Sequence, residues 1–170
     1  FRDKRVGAWP FSTKAQGYTV SDCTAEAIKA IIMVRNSPKF ASIRNEITDE
    51  RLCKGIDVLL SLQNITSFEY GSFATYEKIK APLSMEKLNP AEVFGNIMVE
   101  FPYVECTDSS VLGLTYFHTF YDYRKEEISK RIKLAIDYIK RDQDEDGSWY
   151  GCWGVCYSYA GMFAMEALHS

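Results

Sequence analysis

The feature that most constrains the fold is a short pattern that recurs along the chain. Each copy has a glycine two residues before an aromatic residue, and two copies have a glutamine upstream. The copies are Gln143–Gly147–Trp149, Gln63–Gly71–Phe73 and, without a glutamine, Gly7–Trp9. Glycine permits a sharp turn after a helix, and the glutamine amide can stack on the ring and satisfy polar groups at helix ends. One such segment is often an ordinary turn, but three in order indicate paired helices in a closed or stacked array.

Apolar residues recur at helical spacing along most of the chain. Ser21 and Thr48 are candidate caps of two helices. Asn89 is the candidate cap of a third, with Pro90 at its first position and Glu92 placed to close a capping box. The other signals predict helices over about 22–34, 48–62, 108–120, 125–141 and 155–168. Only the neighbourhood of residues 69–75 suggests extended structure. We therefore expect an all-α fold of helical hairpins.

Composition excludes several functions. The formal net charge is −3 and no basic stripe is present, so a nucleic-acid partner is not expected. No window of 18 apolar residues and no signal peptide is visible. The five cysteines are an odd number at uneven spacing, which favours a reducing compartment. Aromatic residues make up 14% of the chain, and they can fill a core or line a cavity.

The residues Asp22-Cys23-Thr24-Ala25-Glu26 combine a carboxyl group with a neighbouring thiol at the start of a predicted helix. An aromatic-rich loop, residues 7–11, precedes them. An acidic residue at this position is often no more than a helix cap. The alternative is a proton donor at the wall of an apolar, aromatic-lined pocket.

The Gln143…Trp149 element resembles the "QW" repeat of the triterpene cyclases, and residues 22–26 resemble the active-site motif of the eukaryotic oxidosqualene cyclases. Residues 7–168 are similar to the middle-to-late part of such an enzyme, closest to its fungal, lanosterol-forming members. Bacterial squalene–hopene relatives carry Asp-Asp-Thr-Ala at the motif and resemble the chain less. The resemblance implies part of an (α/α) barrel, with residues 1–170 as a partial catalytic domain of a longer chain.

The resemblance also implies an activity. Members of the family protonate (3S)-2,3-oxidosqualene and close it through carbocations to a sterol, here lanosterol. It implies a small-molecule substrate, no cofactor, no metal and no partner protein. The parent enzyme is expected to be monotopic on the endoplasmic reticulum membrane and on lipid droplets. The 170 residues alone are expected to be inactive.

By resemblance, Asp22 is the proton donor. Cys23 is its neighbour, and Cys106 matches a second cysteine that hydrogen-bonds the acid. Glu26, one helical turn later, matches the residue that returns the proton from solvent. Read without the family, buried cysteines are more often small core residues, and acids four residues apart on a helix are usually solvated.

Other positions match the walls of the cavity. Aromatic faces stabilise cations without bonding to them, and the matching residues are Phe11, Tyr76 and Trp153. Phe94 and Ile97 match pocket or channel positions, whereas Trp149 belongs to the repeat and is expected to be structural. The pair Gln16 and Val20 resembles the residues that the fungal lanosterol-forming enzymes carry at these two positions. In the cycloartenol-forming plant enzymes, the residues at these positions resemble His and Ile.

Three alternatives remain open from the sequence. A helical-repeat scaffold that binds a partner protein would leave Asp22 exposed and far from Cys106. A prenyltransferase-like barrel would need zinc, but His118 has no second ligand at suitable spacing nearby and fits a packing role. Another oxidosqualene cyclase would form cycloartenol or a different triterpene.

Overall fold

The computed structural model describes residues 6–13, 15, 17–66, 69–78, 81–91 and 98–170. These residues form α-helices joined by loops and two short 3₁₀ helices, Pro38–Phe40 and Leu83–Leu88. The α-helices are α1 Ser21–Asn36, α2 Asp49–Leu62, α3 Val104–Phe120, α4 Lys125–Arg141 and α5 Cys156–His169. Extended pairing within these ranges is a single antiparallel bridge between Ala74 and Pro102. None of the described helices is long and apolar enough to cross a bilayer.

The five helices predicted from periodicity are confirmed, with two corrections. Ser21 does not cap α1: Val20 is the capping position, and the Ser21 hydroxyl donates instead to the Ala74 carbonyl at 2.6 Å. The helix predicted over about 108–120 begins at Val104, earlier than expected, because its first turns bury polar residues that hide the apolar period. Thr48 does cap α2, accepting from the Arg51 amide at 3.2 Å.

The helix start predicted at Asn89 is only partly visible. Its side-chain oxygen accepts from the Ala91 amide at 2.9 Å, as a cap would. Residues 92–97, where the helix would continue, lie outside the described residues.

Helix α3 is the centre of the fold and packs against α1, α4 and α5. Its residues from Val104 to Leu114 are all buried. The crossing with α1 is close, since a side chain at Gly113 would lie 2.8 Å from the Cβ of Ala25. The middle of α3 is therefore held beside the second turn of α1.

The two complete copies of the repeat share the same hydrogen bond. The Gln63 amide donates to the Gly71 carbonyl at 2.8 Å, and the Gln143 amide donates to the Gly147 carbonyl at 2.8 Å. Both glycines have positive φ, +100° and +87°, a conformation that glycine adopts without strain. The expectation that the glutamine satisfies helix ends needs correction, because the Gln63 amide also donates to Arg131 in the middle of α4.

The glycines of the first two copies pack on the backbone of a helix. A side chain at Gly7 would overlap the carbonyl oxygen of Lys54 in α2, and one at Gly71 would overlap that of Leu134 in α4. Lys54 precedes Gln63 by nine residues, and Leu134 precedes Gln143 by nine. The two contacts are thus equivalent, which supports a true structural repeat. Its aromatic residue is structural in the last copy, where the buried indole of Trp149 donates to Ile139 of α4 at 2.8 Å.

We expect Gly71→Ala to lower the free energy of unfolding by about 2 kcal/mol or more, because alanine there would have positive φ and would overlap α4. Gly161→Ala is the matched control: it lies within α5 with no atom within 4 Å of the new side chain, and should gain about 0.5–1 kcal/mol. Urea unfolding of both variants measures the difference. Equal changes at the two positions would contradict the close contact with α4.

Candidate active site

A loop segment, residues 72–76, links the beginnings of α1 and α3. On the α1 side, the Ser21 amide donates to the Thr75 carbonyl at 2.9 Å, beside the bond from the Ser21 hydroxyl to Ala74. On the α3 side, the Phe73 amide donates to the Thr107 hydroxyl at 3.0 Å. The residues that follow Ser21 and precede Thr107, namely Asp22 and Cys106, are thereby brought to one place.

Three residues of the motif at the start of α1, namely Asp22, Thr24 and Ala25, contribute to this arrangement. The Thr24 hydroxyl accepts from the Trp9 amide at 3.0 Å and so holds the aromatic loop that carries Phe11. Ala25 allows the close approach of α3 at Gly113. Asp22 is half-buried, and its Oδ1 accepts from the Cys23 amide at 2.7 Å. The carboxyl group therefore has a fixed orientation in the first turn of α1.

Both predicted thiols keep their protons at neutral pH. Burial raises the pKa of Cys23 to about 11, with further contributions from the charge of Asp22 and a hydrogen bond to it. Burial also raises the pKa of Cys106 well above its usual value, and the charge of Asp22 adds to this effect. The Cys106 thiol is completely buried and its hydrogen bond is to the Thr75 hydroxyl, at 3.6 Å, instead of the predicted bond to Asp22.

A cavity of about 400 Å³ opens in front of Asp22. It is lined by Phe11, Val20, Asp22, Thr75, Tyr76, Glu105, Ser109, Trp153, Tyr159 and Phe163. The aromatic residues of this wall, Phe11, Tyr76 and Trp153, are 73%, 37% and 40% exposed, so part of their surface is free to contact a ligand. Five predicted site residues therefore share this wall: Asp22, Phe11, Tyr76, Trp153 and Val20.

The remaining predicted residues are placed differently. Glu26 lies on the outer face of α1, where its exposed carboxylate forms an ion pair with Lys29 at 2.9 Å. Phe94, Ile97 and Gln16 lie outside the described residues. The roles assigned to all of these residues by resemblance stay predictions.

The scaffold alternative required Asp22 to be exposed and remote from Cys106. Instead, Asp22 is half-buried at a cavity wall, and its charge acts on the Cys106 thiol. Elsewhere, His118 lies 3.1 Å from the Ser129 hydroxyl. No three His, Cys, Asp or Glu side chains in the described ranges are arranged to hold a metal ion.

Sequence reasoning missed two buried acids of α3. Glu105 lines the cavity and is only 4% exposed; its position beside Cys106 was the available signal. Asp108 is completely buried, and burial raises its pKa to about 8. The negative charges of Glu166 and Glu26 raise it further, and Lys29 acts in the opposite direction. In the sequence, Asp108 is recognisable only as the expected start of a helix.

The fold and site define a helical domain with a half-buried acid at the wall of an aromatic-lined cavity. The family model described as the squalene-hopene cyclase C-terminal domain matches residues 2–170, and the chain belongs to this family. The expected all-α fold, part of an (α/α) barrel, is confirmed by this match together with the helices.

Three relatives illustrate the similarity. The chain is 76% identical over 170 residues to "Lanosterol synthase ERG7" of Saccharomyces cerevisiae, covering all of this chain and 23% of the relative. It is 71% identical to the lanosterol synthase of Candida albicans, covering 100% and 24%. It is 45% identical to that of Mus musculus, covering 98% and 22%. The chain thus spans about a quarter of the length of the curated relatives it matches.

We expect the Cys23 thiol to react slowly with alkylating reagents near pH 8, because a pKa raised from 9 to about 11 leaves about a hundredfold less thiolate than usual. Asp22→Asn removes one cause of the shift and should speed the reaction severalfold. Mass spectrometry of the alkylated peptide over a pH series measures the rate. An unchanged rate in the variant would show that the charge of Asp22 does not act on this thiol.

Asp108 predicts a pH dependence of stability. Between about pH 4 and pH 8 the native chain keeps a proton that the unfolded chain has lost, so this group lowers stability as the pH rises through that window. Asp108→Asn should therefore be more stable than wild type at pH 8, with the difference shrinking toward pH 4. Thermal unfolding at several pH values measures it, with the exposed Asp122→Asn as a control. A difference independent of pH would contradict the assignment.

Proposed function

We propose that this chain forms part of the catalytic cavity of an oxidosqualene cyclase that makes lanosterol. The observation that carries the proposal is the position of Asp22, half-buried at the wall of an aromatic-lined cavity with two protonated thiols nearby. The family and the names of the relatives support the same activity.

The first step is a proton transfer from the Asp22 carboxyl to the epoxide oxygen. The C–O bond then breaks, and the electrons of the neighbouring double bond attack the carbon that becomes electron-deficient. A general acid for this step must be neutral and correctly oriented. The Cys23 amide orients the carboxyl group, and the protonated Cys23 thiol can donate to the carboxylate that remains.

The later cations need walls that stabilise positive charge without acting as nucleophiles. The exposed faces of Phe11, Tyr76 and Trp153 provide this at the cavity, because an aromatic face carries negative charge density. Val20, also at the wall, shapes the end near the acid. Lanosterol as the product is supported by the names of the relatives and by valine at this position.

Glu26 returns the proton to Asp22 after each turnover. It lies one helical turn from Asp22, and its carboxylate reaches solvent.

The parent protein binds the endoplasmic reticulum membrane and lipid droplets from one side. A long hydrocarbon epoxide partitions into lipid, so its enzyme benefits from contact with that phase.

The test uses the full-length protein that contains this segment, incubated with 2,3-oxidosqualene. We expect the wild type to form lanosterol, and Asp22→Asn to lose at least about a thousandfold in rate, because an amide cannot supply the proton. Gas chromatography of the products and circular dichroism of both proteins are the measurements.

Asp49→Asn is the matched control, since Asp49 lies in the first turn of α2 with its side chain exposed. This variant should cyclise at the wild-type rate. Wild-type protein that leaves oxidosqualene unchanged, or an Asp22→Asn variant with substantial activity, would overturn the proposal.

A further inference from the structure

Glu105 is a buried carboxylate whose residue type needs an explanation. It lies in the first turn of α3 and is 4% exposed. Its Oε1 accepts from the Cys152 amide at 2.9 Å, while its Oε2 is buried without a hydrogen-bond partner in the described part of the chain. A hydrophobic side chain would fill this place with a smaller desolvation cost. The role of the carboxylate therefore lies in its one hydrogen bond, the bond to the Cys152 amide.

That bond holds a loop between α3 and α5. A side chain at Gly151 would overlap Glu105 Oε1 and would lie 2.8 Å from the Cβ of Ala160 in α5. The loop backbone is thus pressed between the carboxylate on one side and α5 on the other. Glycine at 151 makes this close approach possible.

Trp153 follows Cys152 in this loop and lines the cavity together with Glu105 and Asp22. Its ring packs against Tyr103, the residue before α3, with ring centroids 4.7 Å apart at an angle of 60°. The beginning of α3 therefore contacts the loop at two points, one through the Cys152 backbone and one through the Trp153 ring.

We propose that Glu105 is a positioning residue for cyclisation: its hydrogen bond to the Cys152 amide sets the place of the Trp153 ring in the cavity wall. This inference rests on the proposed function for its chemical consequence. Without the bond the loop can shift, and a cation that should pass beneath the ring meets a different surface. Some of the substrate then loses a proton early and leaves incompletely cyclised.

The experiment compares variants of the full-length protein with the wild type. Glu105→Leu removes the acceptor, whereas Glu105→Gln keeps an oxygen that can accept from Cys152. Glu126→Leu is the matched control, an exposed glutamate in the first turn of α4. Total turnover and the share of incompletely cyclised products are measured by gas chromatography.

We expect Glu105→Leu to lose about ten- to a hundredfold in rate and to raise the share of incompletely cyclised products. Glu105→Gln should keep the wild-type product ratio, as should Glu126→Leu. A variant that only folds poorly makes less product in an unchanged ratio. Combined with Trp153→Phe, Glu105→Leu should change the ratio little beyond what Trp153→Phe does alone. A wild-type ratio in Glu105→Leu, or full additivity in the double variant, overturns the inference.

Hydrogen exchange of the Cys152 amide supplies a readout independent of activity. Exchange should be faster in Glu105→Leu than in wild type and unchanged in Glu105→Gln and Glu126→Leu. Equal exchange in wild type and Glu105→Leu overturns the inference. If the wild type does not act on oxidosqualene, the proposed function fails, and exchange still decides whether Glu105 holds the loop.

Discussion

The arrangement of the cavity depends on the hydrogen bonds of Thr75. Its carbonyl accepts from the beginning of α1 and its hydroxyl meets the Cys106 thiol in the first turns of α3. These two helices supply the acid and the second thiol, and Thr75 adds a polar link to the close crossing that α1 and α3 already make at Ala25 and Gly113. A segment outside the helices suits this task, because its backbone groups are not used within a helix and remain available to both neighbours.

Burial determines the chemical character of the groups around Asp22. The thiols of Cys23 and Cys106 are kept protonated by their surroundings, so they serve as neutral hydrogen-bond donors and do not compete as nucleophiles. In the reaction proposed above, a thiolate facing a carbocation would form a covalent bond and end the cyclisation, and the raised pKa values of the two cysteines keep the thiolate fraction low.

The helices could be predicted because apolar periodicity and caps are local signals, as at Thr48, where the hydroxyl bonds three residues ahead. The Ser21 cap was wrong because a partner more than fifty residues away, Ala74, competes for the hydroxyl. The cavity wall was found through motifs that resemble a family. Glu105 and Asp108 were missed because their neighbours lie far away in the sequence, in the loop at Cys152 for Glu105 and in α1 and α5 for Asp108, and no local pattern reveals such packing.

The glycine contacts impose an order on folding. Gly7 closes on α2 and Gly71 closes on α4, so each turn packs on a helix that comes later in the chain. During synthesis, the turns at Gly7 and Gly71 therefore stay uncovered until α2 and α4, respectively, have been made. Each of these two turns thus reaches its final packing only after a later part of the chain has folded against it.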